Sequence, residues 1–146
     1  MKEWTVLYDK TFTEDTDKVV IEDAKYEEVE AYVFIKTKIN TNDTLFFTAN
    51  SDGTVYGNIR TSTQINGSWI GIRKLSLRKI TNFLWESGIQ VSNYFLTSSP
   101  ACYPLIGYSN NELNTELDSD RTNGITLIYQ NGTKFQTGDR VFIRAR

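Results

Sequence analysis

The sequence predicts an all-β protein, an antiparallel β-sandwich with one long loop, and three observations carry that reading. Helical periodicity is nearly absent along the chain. Short runs instead alternate apolar and polar residues with a period of two, the spacing of side chains along a strand. Asn-Gly or Asp-Gly pairs recur at residues 52–53, 66–67, 123–124 and 131–132, and such pairs supply the positive φ values that tight hairpins need. Short strands punctuated by turn signals at roughly ten-residue spacing read as a sandwich. With no helical crossover between them, the strands should be mostly antiparallel.

The elements follow in order. Residues 4–8 (WTVLY) and 18–22 (KVVIE) are the first two strands. Residues 26–39 form the longest: Val29, Ala31, Val33 and Ile35 share one face, while Tyr32 and Phe34 share the other. Its middle should therefore be covered on both sides or lie at a contact. Residues 44–49 and 53–59 follow as strands. In residues 67–80, Ile70 and Ile72 have one parity and Leu75 and Leu77 the other, so a β-bulge near Arg73 and Lys74 is expected to restore the phase. Two strands flank a turn at Ser87 and Gly88. Residues 96–124 read as the long loop, with at most one helical turn in residues 109–120, where only Leu113 and Leu117 keep an i, i+4 spacing.

The ending, GITLIYQNGTKFQTGDRVFIRAR, carries two turns, at Asn131–Gly132 and at Thr137–Gly138–Asp139. In the last strand Val141 and Ile143 share the core face, and Phe142 lies on the other with Arg140 and Arg144. A terminal strand is ordered when it pairs inside a sheet, so this strand should be internal, next to the N-terminal one.

Composition narrows the classes. The chain has 146 residues and 39% hydrophobic content, enough for one domain spanning 1–146 with its own core. It shows no linker or internal repeat. Net charge is -2, and the basic residues are scattered, which argues against a nucleic-acid partner, whose phosphates demand a basic surface. The densest basic stretch, RKLSLRK at residues 73–79, reads as the solvated face of a strand. No run approaches the ~18 apolar residues of a membrane span. The opening lacks a signal-peptide core, so synthesis in the cytoplasm is expected. The three Asn-x-Ser/Thr sequons then read as turns.

The chemistry available is limited. With no histidine and one cysteine, neither a Ser-His or Cys-His nucleophile pair nor an ordinary zinc site can be assembled. Cys102 reads as a buried thiol. No cofactor is expected, since no phosphate-binding glycine motif occurs. The acidic clusters at residues 14–17 and 116–120 read as solvated loops, because neither has the spacing of a calcium loop. Paired-carboxylate glycosidase chemistry needs two facing acids. Its best candidate is Glu86, since the neighbouring Trp85 could raise a carboxyl pKa by burial; the plainer reading is an exposed acid at a strand end. What remains is a binding surface. Trp69, Tyr94, Tyr103 and Tyr108, with Tyr56, are the aromatic candidates, lying in or near the long loop or on alternating faces. Such rings can stack on the apolar face of a sugar.

Three segments carry a family resemblance: WTVLYDKTFTED, YEEVEAYVFIKTKIN and ITLIYQNGTKFQTGDRVFIRAR. Together they resemble small β-sandwich proteins of phages and prophages of Gram-positive gut bacteria, although Ala145 stands where a glycine is common. The resemblance implies a jelly-roll-like structural or tail-appendage domain made in the bacterial cytoplasm and carried in a virion. It also implies assembly with other virion proteins or as a homo-oligomer, a trimer first, and recognition of host-surface glycans. The expected function is therefore non-enzymatic, with a free-standing carbohydrate-binding module as the alternative and an acid-acid glycoside hydrolase behind it.

Overall fold

A computed structural model describes residues 2–36, 42–51, 60–65, 69–81, 84–95, 102–106, 110–113 and 123–146. Among them the chain forms eleven strands and no helix: β1 (Thr5–Thr11), β2 (Lys18–Glu22), β3 (Glu28–Ile35), β4 (Asp43–Thr48), β5 (Arg60–Ile65), β6 (Trp69–Thr81), β7 (Leu84–Phe95), β8 (Cys102–Ile106), β9 (Asn110–Leu113), β10 (Gly124–Tyr129) and β11 (Arg140–Ala145). They make two antiparallel sheets. The larger runs β1-β11-β3-β6-β7-β8, with β9 also on β7; the smaller runs β2-β10-β4-β5. The expected β-sandwich is the fold. No helix long and apolar enough to cross a membrane occurs among the described residues.

The terminal strand lies where its sequence places it. β11 is bonded to β1 on one edge and to β3 on the other. Val141 and Ile143 have no exposed surface, and neither do Val29, Ala31 and Val33 beside them. Leu75 and Leu77 extend this wall on β6, and Ile125, Leu127, Leu45 and Phe47 oppose it from the smaller sheet. Each such side chain contributes about 2 kcal/mol by leaving water. At one end of this core the Phe135 ring stacks on Phe12 at 5.3 Å and tilts against Tyr129 at 5.0 Å.

Two buried carboxylates hold the turns. Asp139 accepts the N–H groups of Lys36 and Gln136, both at 2.9 Å, and so ties the last turn to the end of β3. Asp43 accepts from Asn131 and Thr133, bracing the Asn131–Gly132 turn. Burial opposes ionisation of Asp43, but these bonds outweigh it and keep its pKa below the ordinary value.

Several sequence expectations are corrected. No bulge occurs at Arg73–Lys74: β6 pairs with β3 in continuous register from Gly71 to Arg78, and the register shift lies at Lys79–Thr81 instead. The phase is kept because Ile72 faces outward, 40% exposed, and Arg73 faces inward, 1% exposed. The stretch at residues 73–79 is thus not wholly a solvated face. Burial pushes the Arg73 guanidinium down to about 10, still cationic at neutrality. Ser87–Gly88 is not a turn. Gly88 sits within β7 opposite Ser76, whose Oγ would be 2.6 Å from an added Cβ. Residues 96–124 are not one loop, since they contain β8 and β9, both held by β7. β5 has no counterpart in the sequence reading, because its inward positions include Thr61 and Thr63, which do not look apolar. The strand expected at 53–59 and the turns at 52–53 and 66–67 lie outside the described residues.

The remaining turn residues follow their glycines. Gly132 takes φ 81° and Gly138 φ 94°, both open to glycine at little cost. Gly124 is different: it begins β10 at φ 132°, and an added Cβ would lie 2.5 Å from the Ile21 carbonyl oxygen. Gly124→Ala should therefore cost about 3 kcal/mol by urea denaturation, against about 1 kcal/mol for Gly132→Ala, which meets nothing within 4 Å. Asp139→Ala should cost about 2 kcal/mol, by leaving the part-buried N–H groups of Lys36 and Gln136 without their carboxylate acceptor; an unchanged urea midpoint would contradict its bracing role.

Candidate functional site

Alternation along β3 and β11 turns Val29, Val33, Val141 and Ile143 into the core, and by the same period sends Tyr32, Phe34, Arg140, Phe142 and Arg144 to the outer face. These five residues line an open groove of about 300 Å³, at the lower end of small-ligand sites. Register brings them together: Phe142 pairs with Tyr32, and Arg140 with Phe34. The Tyr32 and Phe142 rings meet edge to face, with centroids 5.9 Å apart.

Charged groups surround these rings. Arg140 donates from Nε and Nη2 to the two carboxylate oxygens of Asp9 on β1, each at 2.8 Å. Arg144 donates from Nε to Glu30 at 2.8 Å. Lys74 of β6 pairs with the other Glu30 oxygen at 3.2 Å, and the Tyr32 hydroxyl donates to Glu30 at 3.0 Å. Arg146 donates to Glu28 at 2.7 Å. The cations also lie over aromatic rings. Arg144 and Arg146 are 4.4 and 4.5 Å from the Trp4 ring centre, Arg140 is 5.7 Å from that of Phe34, and Lys74 is 5.5 Å from that of Tyr32. Each such contact is attractive by about 0.5–1 kcal/mol at an exposed site.

The electrostatics keep the acids ionised. Burial alone would raise the Glu30 pKa, but the bonds from Arg144, Lys74 and Tyr32 outweigh it and hold it below the ordinary carboxylate value. The Arg140 hydrogen bond does the same for Asp9.

The sequence candidates fare differently. The backbones of Trp69, Tyr94 and Tyr103 gather at one end of β6, β7 and β8, where Trp69 pairs with Phe95, Tyr94 with Ile70 and Cys102, and Tyr103 with Asn93. Their side chains, with that of Cys102, and the whole of Tyr56 and Tyr108 lie outside the described residues. Glu86 is paired with Arg78 on the outer face, while Trp85 is 3% exposed and packs edge-on against Tyr26. The two alternate across the strand, so the indole does not desolvate the acid. Among the described residues no group of three metal-ligating side chains occurs; residues 116–120 lie outside them. Trp4, Asp9, Glu30, Lys74, Arg140, Phe142, Arg144 and Arg146 are not among the sequence candidates, because their sequence neighbours are not the residues they meet. The period-two pattern of β3 and β11 was the available signal.

The chain matches no protein-family model, no curated protein and no solved structure.

The Glu30 network has a pH consequence. A carboxyl whose folded pKa is depressed contributes stability above its unfolded pKa, near 4.5, and loses it as pH falls through the lower folded value. Glu30→Gln should be less stable than the parent at neutral pH. The gap in urea midpoint should close as pH drops below about 4.5. A gap that stays constant through that range would exclude the ionised Glu30 as its source.

Proposed function

We propose that the chain is a non-enzymatic binding domain, a structural or tail-appendage part of a phage or prophage, that holds a host-surface glycan on the outer face of its larger sheet. One observation carries this reading: three rings, Tyr32, Phe34 and Phe142, remain partly accessible on a rigid sheet, among polar groups already fixed in ion pairs. A sugar offers an apolar C–H face and a rim of hydroxyls. Aromatic surface beside oriented donors and acceptors matches both. Because β3 and β11 are paired on both edges, this surface is organised before any ligand arrives, which lowers the ordering cost of binding.

The state of the acids supports a non-catalytic role. Glycoside hydrolysis needs one carboxyl that keeps its proton near neutrality. Glu30 and Asp9 beside this groove are pushed the other way. The setting in a virion rests on the resemblance of the terminal and third-strand segments.

The double variant Phe34→Ser/Phe142→Ser removes two rings without touching the core. It should lower retention on host-cell envelopes or immobilised glycan at least tenfold, while stability falls only by the lost Phe34–Arg140 and Phe142–Tyr32 contacts, about 1–2 kcal/mol together, and the protein stays folded. Unchanged retention would reject the face as the glycan site. Light scattering after size exclusion supplies a second readout: a trimer of the parent that dissociates in the variant would make this face an assembly contact instead.

A further inference from the structure

The cations of the outer face are arranged for more than hydroxyl recognition. We propose that the glycan bound there carries an acidic group (a carboxylate, sulfate or phosphate on the sugar) and that Arg140 and Arg144 read it. The inference rests on the glycan reading above and deepens it.

Three features lead to it. First, both guanidinium groups are held from two sides. Asp9 and Glu30 occupy their Nε edges, and the Phe34, Tyr32 and Trp4 rings lie against their faces. A guanidinium fixed in this way has little rotamer freedom left to lose on binding. Second, the bonds to Asp9 and Glu30 use Nε and Nη2, and among the described residues Nη1 of each arginine has no hydrogen bond. Its N–H groups suit an oxyanion acceptor, which arginine binds with charge-assisted hydrogen bonds. Arg140 is 45% and Arg144 34% exposed, so both can be reached from solvent.

Third, the local charge is opposite to that of the whole chain. Lys74, Arg140, Arg144 and Arg146 face three carboxylates, Asp9, Glu28 and Glu30, an excess of one positive charge. The chain as a whole carries -2. Here four cations converge beside three partly accessible rings, against three carboxylates. One acidic group per bound sugar unit would complete the balance. A neutral sugar would leave the excess unanswered.

The test uses the full chain on an array that carries neutral oligosaccharides beside uronate-, sialate-, sulfate- and phosphate-bearing ones. The best acidic carboxylate ligand is then compared with its own methyl ester, which keeps the ring and removes the charge. Binding should be confined to acid-bearing sugars and fall at least tenfold on esterification. It should weaken again as sodium chloride rises from about 0.05 to 0.5 M, because partly exposed charges are screened over that range. Arg140→Lys keeps the charge but loses the planar edge, and should weaken acidic sugars roughly tenfold; its melting temperature serves as the folding control. Equal binding of acidic and neutral sugars would overturn the inference and leave the glycan reading standing. No binding to any sugar would overturn both. Equal competition by polyglutamate would reduce the site to a general anion patch and overturn the sugar-specific claim.

Discussion

The two-sided pairing of β11 is the constraint on which the rest of the molecule depends. The strand donates and accepts hydrogen bonds toward β1 on one edge and β3 on the other, and even Arg146 continues the ladder by exchanging backbone bonds with Glu28. Removing it would strand β1 at no sheet and expose the edge of β3. The inner residues of β11 close the core, and its outer residues build the groove. One run of six residues therefore serves stability and recognition at once, because a strand's successive side chains point to opposite faces.

Polar groups inside this molecule are arranged around chain reversals. Asp139 and Asp43, buried themselves, accept part-buried backbone N–H groups at and beside the turns. Arg73 is the contrasting case. It sits on the inner face with its Nε lacking a hydrogen-bond partner among the described residues, as does the Tyr129 hydroxyl. Tyr129 lies within electrostatic reach of Asp139, Arg73 and Asp43, and burial is the main cause that pushes its hydroxyl pKa up. With Arg73 inward, β6 keeps an unbroken register in which Leu75 and Leu77 face the core and Ile72 faces out.

The outer face owes its character to pairing across strands. Tyr32 and Phe142, Phe34 and Arg140, Glu30 and Arg144 are opposite neighbours in the register of β3 and β11, the geometry in which cross-strand pairs interact most strongly. The edge strand β1 then adds Asp9. Its pairing with β11 carries a register shift between Val6 and Tyr8, and a bulge that twists an edge strand discourages further strand addition.

Fold class, the core face of β3 and β11, and the two terminal turns were all legible in the residues. Period-two alternation and glycine at positive φ are local properties, readable without knowing any partner. The internal place of the last strand was legible too, since Val141 and Ile143 needed cover. Other features were not local. The inward Arg73 imitated a phase change, the threonines of β5 hid a strand, and Gly88 imitated a turn while lying in one. It takes the paired sheet to bring Trp4, Asp9, Glu30, Lys74, Arg140 and Arg144 together on one face. Their contacts cross up to 140 positions of chain, from Trp4 to Arg144, and the register of paired strands, rather than spacing along the sequence, sets which side chains become neighbours.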